Sequence, residues 1–124
     1  VTTLTVSSEA YRGWTLVHAV GEIDLVSGAR VREQVHQAVA DGCRRLVLDL
    51  GAVRFCDSSG VGVLIAARRL MRSCRGELRL VLPDPEDGGQ CGEVHRVFAA
   101  LGVRRLFDIH PDLASATAPV ALPA

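Results

Sequence analysis

Ser58 stands where a phosphate could be carried. The run Asp57-Ser58-Ser59-Gly60 follows an apolar stretch and opens a helical pattern over 58–74. Asp57 is therefore placed to cap that helix, its carboxylate accepting from a backbone N–H two or three residues on, and Ser58 takes the first helical position. A phosphate on the Ser58 hydroxyl would face free N–H groups and the positive end of the helix dipole, which the fold tolerates. It would also add about −1.5 to −2 charge beside Asp57. The segment can be modified without unfolding while its surface potential changes sharply. Asp-Ser-Ser at a helix start is equally an ordinary capping sequence, so the spacing alone leaves both readings open.

The other reactive side chains form no comparable constellation. The cysteines at 43, 56, 74 and 91 are too far apart for any C-x-x-C pair. Cys91 and His95, four residues apart on a helix, come nearest to a zinc half-site, but no second pair accompanies them, and no metal or other cofactor is expected. Cys43, Cys56 and Cys74 sit near apolar residues and read as small core side chains. His18 lies in a strand pattern, His36 on a helix face, and His110 before Pro111; none stands beside a serine or cysteine in a nucleophile arrangement. No G-x-S-x-G elbow surrounds Ser58, so an enzyme is not the expectation. The chain has no lysine, which excludes Schiff-base chemistry and a G-x-x-x-x-G-K-[ST] phosphate loop.

Charge narrows the partners further. Fourteen arginines balance 14 acidic residues for a net charge of zero, so no global field gathers nucleic acid. Arg68, Arg69, Arg72 and Arg75 do cluster on the second helix, but without interleaved aromatics they read as a solvated face or a protein-docking site. The apolar runs fall far short of the ~18 residues of a membrane span, and no charged-then-apolar leader opens the chain. No membrane partner and a cytoplasmic location are the expectations.

These groups must be positioned by a single domain, the usual prior for 124 residues. Strand patterns over 4–8 and 14–20 flank the turn Tyr11-Arg12-Gly13 and read as antiparallel neighbours. Gly21-Glu22-Ile23-Asp24 breaks the second strand, and Asp24 or Ser27 can cap a helix carrying Val31, Val35, Ala38 and Val39 on one stripe. Gly42 stops it. A buried central strand follows over 46–50, then a connection over 51–56 to the helix at 58–74. A strand over 78–82, an irregular loop over 83–92 and a helix bearing Val94, Val97, Phe98 and Leu101 complete the alternation, with Gly102 ending the helix. A short last strand is expected over 103–107 and a closing helix from Pro111, while 114–124 reads as frayed. The fold class is α/β: a mixed sheet of four or five strands with parallel, right-handedly connected central strands, covered by about four helices.

The second helix is apolar on two sides. Val63, Ala66, Ala67, Leu70 and Cys74 form the stripe expected to face the sheet. Val61, Leu64 and Ile65 fall on the side that carries Ser58 and Arg68. Gly60 and Gly62 stand near the start of the helix although each costs about 1 kcal/mol against alanine. Both features fit close approach by a partner, or burial beneath the first or last helix.

Leu48-Asp49-Leu50 through Phe55-Cys56-Asp57-Ser58-Ser59-Gly60-Val61-Gly62-Val63-Leu64 closely resembles the signature of STAS-domain anti-sigma factor antagonists. Gly21-Glu22-Ile23-Asp24 resembles that family's second motif, and Leu101-Gly102-Val103 with Leu106-Phe107 its closing segment. The resemblance covers about 1–115, leaving 116–124 as a flexible tail. It implies a regulatory protein, monomer or weak dimer. The unphosphorylated form would bind an anti-sigma factor, a serine kinase of the histidine-kinase-like ATPase type, and so release a sigma factor. The kinase would phosphorylate Ser58 and a PP2C-type phosphatase would restore it. The implied partner-binding surface comprises Gly21, Glu22, Asp24, Asp57, Ser58, Ser59, Gly60, Val61, Leu64, Ile65 and Arg68. Cys56 departs from the family in replacing a larger apolar residue. The loop at 83–92, with Asp84, Glu86 and Asp87, is longer than usual. The alternative function is a STAS scaffold or sensor that binds protein partners without sigma-factor control.

Overall fold

The hairpin at the start of the chain is set by its two turn residues. Arg12 and Gly13 have φ of 51° and 83°, the twist that a two-residue connection needs, and Tyr11 pairs directly with Trp14. The computed structural model describes residues 3–84 and 91–118. Strands β1 (Leu4–Tyr11) and β2 (Trp14–Ile23) lead into helix α1 (Gly28–Ala40), strand β3 (Arg45–Cys56) and helix α2 (Ser58–Ser73). Strand β4 (Glu77–Val81), helix α3 (Gly92–Leu101), a 3-10 turn (Arg104–Leu106), strand β5 (Asp108–His110) and helix α4 (Leu113–Thr117) follow. The five strands form one sheet in the order β1-β2-β3-β4-β5, antiparallel between β1 and β2 and parallel elsewhere. This is the mixed α/β sheet expected, with four helices.

Two strands run further than their sequences suggest, and they do so together. The break expected at Gly21 is a register shift within β2, and the connection expected over 51–56 is the second half of β3. Each extension supplies the other's partner, Glu22 opposite Phe55 and Ile23 opposite Cys56. Gly21 permits the shift: its φ is +120°, and a Cβ there would lie 2.3 Å from the Thr3 carbonyl oxygen of the incoming chain.

Side chains alternate across the sheet into two apolar layers. Val17, Ala19, Leu46, Leu48 and Leu80 pack with Val31 and Val35 of α1, Leu64 and Met71 of α2, and Phe98 of α3. On the opposite face Trp14, Leu16, Val47 and Val81 pack against Ala116, with Leu113 and Tyr11 at the margin. Arg79 ties α4 to that face. Its Nη1 donates to the carbonyls of Ala116 at 2.9 Å and Ala118 at 3.3 Å, and its guanidinium lies 4.5 Å from the Trp14 ring centroid.

The end of the chain departs from expectation in two places. The strand expected over 103–107 is a 3-10 turn, and the edge strand forms next, at Asp108–His110. Ala116 and Thr117, expected in a flexible tail, are buried in α4, which Asp112 caps through the Ser115 N–H at 2.7 Å. Of the expected irregular loop, 85–90 with Glu86 and Asp87 lies outside the described residues, as does 119–124 of the tail. Among the described residues no helix is long and apolar enough to cross a membrane.

Candidate functional site

The ends of β2 and β3 and the start of α2 meet at one point. Asp57 is extended (φ −88°, ψ −175°), and its carboxylate accepts from the Gly60 N–H at 2.8 Å. Its own N–H donates to the Ile23 carbonyl at 3.3 Å, joining α2 to the end of β2. Asp57 is thus the expected cap. Ser58 is the first helical residue and is exposed, and among the described residues no hydrogen bond engages its hydroxyl. The first N–H groups of a helix have no intrahelical acceptor, so an anion on Ser58 would find donors beside it. Ser59 is half-buried.

Gly60 is needed by the fold itself. A Cβ there would lie 2.6 Å from the Ile23 carbonyl oxygen and 2.7 Å from Cys56 Sγ. Gly62 meets nothing within 4 Å. Beneath the helix start, burial and then the Asp57 charge push the Cys56 thiol up to about 12. It stays protonated at neutral pH and is no nucleophile. Its Sγ donates to the Asp57 carbonyl at 3.7 Å.

A braced turn over 24–27 forms the neighbouring wall. The Asp24 carboxylate accepts from the N–H groups of Val26 at 3.0 Å and Ser27 at 2.8 Å. Ser27 is the N-cap residue of α1, yet its hydroxyl turns back within 2.8 Å of the Glu22 carbonyl and 2.9 Å of Asp24 Oδ1. Ser27 gives α1 no side-chain cap, whereas Asp24 makes capping contacts to the turn that leads into the helix, its backbone carbonyl accepting from the Gly28 N–H at 2.8 Å. The result is that Leu25 and Val26 project outward, 75% and 81% exposed, with exposed Phe55 opposite Glu22 on the adjoining strand ends. Leu25 and Val26 were not among the sequence candidates. Their signal was two apolar residues inside a segment otherwise made of capping residues.

Of the candidates at 21–24 and 57–60, the structure joins the two segments through Ile23. Glu22 lies opposite Phe55, Ile23 opposite Cys56, and the Ile23 carbonyl accepts from the Asp57 N–H, while Gly21 pairs further back with Val53. It separates the remaining candidates. Val61 and Leu64 are 1% and 0% exposed and belong to the core, while Ile65 is half-buried. Arg68, ten residues beyond Ser58, stands about 15 Å further along the helix. The stripe is displaced too: Met71 is fully buried, whereas Ala66 is exposed. The cause is that α2 packs on two neighbours, the sheet and α1, where a Cβ on Gly28 would lie 2.8 Å from Val63. A helix apolar on two sides is satisfied within the molecule.

Cys91 and His95 do not converge. The Cys91 thiol donates towards the carbonyls of Leu50 at 3.4 Å and Gly51 at 3.2 Å. His95 Nε2 donates to the Pro83 carbonyl at 2.7 Å, and its Nδ1 accepts from Arg104 at 2.8 Å. Among the described residues no three His, Cys, Asp or Glu side chains gather as a metal site would require.

The molecule is thus a mixed five-stranded sheet that presents a capped helix start and an exposed serine. The family model of the STAS domain matches residues 5–116, and the chain belongs to the STAS-domain family. It is 30% identical over 108 residues to the anti-sigma F factor antagonist of Paenibacillus polymyxa, 86% of either chain. The anti-sigma-F factor antagonist RsfB of Mycobacterium tuberculosis is 38% identical over 63 residues, 51% of this chain and 52% of RsfB. The crystal structure of an anti-sigma factor antagonist from Mycobacterium paratuberculosis matches with a TM-score of 0.77 at 28% identity, covering 92% of this chain and 91% of that one.

Proposed function

We propose that this chain is an anti-sigma factor antagonist, a binding protein whose hold on its anti-sigma factor is governed by phosphorylation of Ser58. The observation that carries the reading is the state of Ser58: exposed, uncommitted, and beside a carboxylate already spent on capping the helix. The partner is an anti-sigma factor that is itself a serine kinase of the histidine-kinase-like ATPase type, and a PP2C-type phosphatase reverses the modification. Leu25, Val26 and Phe55 supply the apolar contact area and Glu22 and Asp57 the acidic rim. A phosphate between them sets charge against any acidic group of the partner. Like-charge juxtaposition at an interface can cost several kcal/mol, enough to weaken binding by about a hundredfold or more. Capture of the unphosphorylated form's partner would free a sigma factor.

The test is a pull-down from native lysate with wild type, Ser58→Ala and Ser58→Asp as baits, read by mass spectrometry. A small ATPase-like kinase retained by the first two and lost by the third is the expected result. Identical recovery by all three would overturn Ser58 as the switch and leave a scaffold in its place.

A further inference from the structure

Helix α2 carries a basic face that its Ser58 end does not use. Among the described residues, Arg68, Arg69, Arg72 and Arg75 enter no ion pair and no hydrogen bond through their side chains. Arg68 and Arg72, one helical turn apart, border a cleft of about 190 Å³ whose apolar lining is Met71, Leu78, Leu106 and Phe107. Met71 is fully buried and closes the bottom; Leu106 is 37% exposed and forms the open side. Phe107 is held in place by stacking on Phe98, with ring centroids 5.8 Å apart. Asp108 also reaches the cleft, but its carboxylate is 3.3 Å from Arg79 Nε and 2.9 Å from His110 Nε2. Arg79 is shared with Glu77 at 3.5 Å, and among the described residues Arg68 and Arg72 make no ion pair of their own at the mouth of a cleft whose lining holds two guanidinium groups and one carboxylate.

The size and the charge together select the occupant. Small-molecule sites begin at about 300 Å³, so this cleft suits one anchoring side chain better than a whole metabolite. Guanidinium groups match carboxylates in a planar, bidentate fashion, and both stay charged at any physiological pH. We propose that this cleft is a second docking site, which takes an acidic segment of a partner protein. One apolar side chain of that segment seats on Met71 and Leu106, and carboxylates flanking it pair with Arg68 and Arg72. The site lies about 15–21 Å along the helix from Ser58, reckoned at 1.5 Å per residue. That is well beyond the Debye length of about 8 Å at physiological salt, so charge at Ser58 leaves the cleft unaffected.

A fluorescein-labelled peptide Glu-Asp-Glu-Phe-Asp-Glu is the probe, followed by fluorescence polarisation and by amide chemical-shift mapping on the full chain. Two control peptides replace every acid by lysine, or the phenylalanine by serine. Saturable binding of the first peptide alone is expected, with shifts centred on 68–78 and 106–108. Arg72→Glu, at an exposed position, should weaken it about tenfold or more, and Leu106→Ser should do the same without altering charge. Ser58→Asp should bind the peptide as wild type does. The proposal is overturned by no binding up to about 1 mM, by equal binding of the lysine peptide, or by shifts centred on 24–27 and 58–62.

Discussion

Replacing Gly60 and Gly62 by alanine, one at a time, should move the stability of the same helix in opposite directions. Both sit near the start of α2, where alanine is worth about 0.8–1 kcal/mol over glycine. At Gly62 nothing lies within 4 Å of the added methyl, so Gly62→Ala should gain nearly that full amount. At Gly60 the methyl would stand 2.6 Å from the Ile23 carbonyl oxygen and 2.7 Å from Cys56 Sγ. Ile23 cannot withdraw freely, because the same carbonyl accepts from the Asp57 N–H. Overpacking of this kind costs about 1–3 kcal/mol, and loosening that hydrogen bond adds about 1. After the helical gain is subtracted, Gly60→Ala should lose about 1–3 kcal/mol, placing the two variants about 2–4 kcal/mol apart. Urea unfolding at equilibrium measures this directly, provided the m-values agree. Equal stabilities, or a more stable Gly60→Ala, would refute the packing argument. Gly62 also follows Ser58 by four residues and so lies on the same helical face. Gly62→Ala should therefore bind the anti-sigma factor more weakly although it is the more stable protein.

Other positions give shorter tests. Asp57→Ala should cost about 1 kcal/mol in urea unfolding through loss of the cap, whereas Asp57→Asn should keep most of it; equal losses would count against capping. His18 is held by Asp49 and Glu9, each at 3.0 Å. Burial alone would lower its pKa, but hydrogen bonds and charge from Glu9 and Asp49 outweigh it and the net shift is upward from 6.5. The folded state thus binds the proton more tightly, so this stabilisation is complete below about 6.5 and fades as pH rises through the raised value. The stability gap between wild type and His18→Gln should shrink over that rise; a gap that widens would reverse the sign. Arg79→Met should release α4, because the carbonyls of Ala116 and Ala118 lose their donor. We expect a red shift in the emission of Trp14, the single tryptophan, and lost amide protection over 115–118. The cost should be about 2–3 kcal/mol, and an unchanged Trp14 spectrum would show that Arg79 does not hold the helix.

The elements with strong local signals were legible in the sequence. Arg12-Gly13 marked the hairpin, Asp57 the start of α2, and Gly42 and Gly102 the ends of α1 and α3. Gly21–Ile23, expected as a break, is the end of β2, and the Ile23 carbonyl accepts from the Asp57 N–H at the start of the serine motif. What was not legible depended on partners elsewhere in the chain. Neither Gly21–Ile23 nor Gly51–Cys56 looks like a strand alone, since glycine punctuates both; each becomes one by pairing with the other. Of the two readings left open for the second apolar side of α2, burial within the molecule holds for Val61 and Leu64. Met71 is buried outside the expected stripe because one helical period cannot describe a helix that packs on a sheet and on α1 at once. A three-residue edge strand such as Asp108–His110, with two ionisable side chains, has no period to detect. The outward Leu25 and Val26 depend on the Asp24–Ser27 hydrogen bonds, which are tertiary in effect though local in sequence.

The strand order β1-β2-β3-β4-β5 is also the order of synthesis. Each new strand joins an edge that already exists, and none must be threaded between two paired neighbours. Closure between consecutive elements keeps the entropy of each step small and favours rapid assembly. The surface around Ser58 needs only β2, β3 and α2, so it is complete once the first 73 residues have docked. Helix α4 depends on β4 for Arg79, so its docking is expected to follow that of β4. Contacts formed that late set the rate of unfolding and leave the rate of folding nearly untouched. Substitutions around α4 should therefore act mainly on how long a folded molecule lasts, and those around β2 and β3 on how quickly the surface at Ser58 forms.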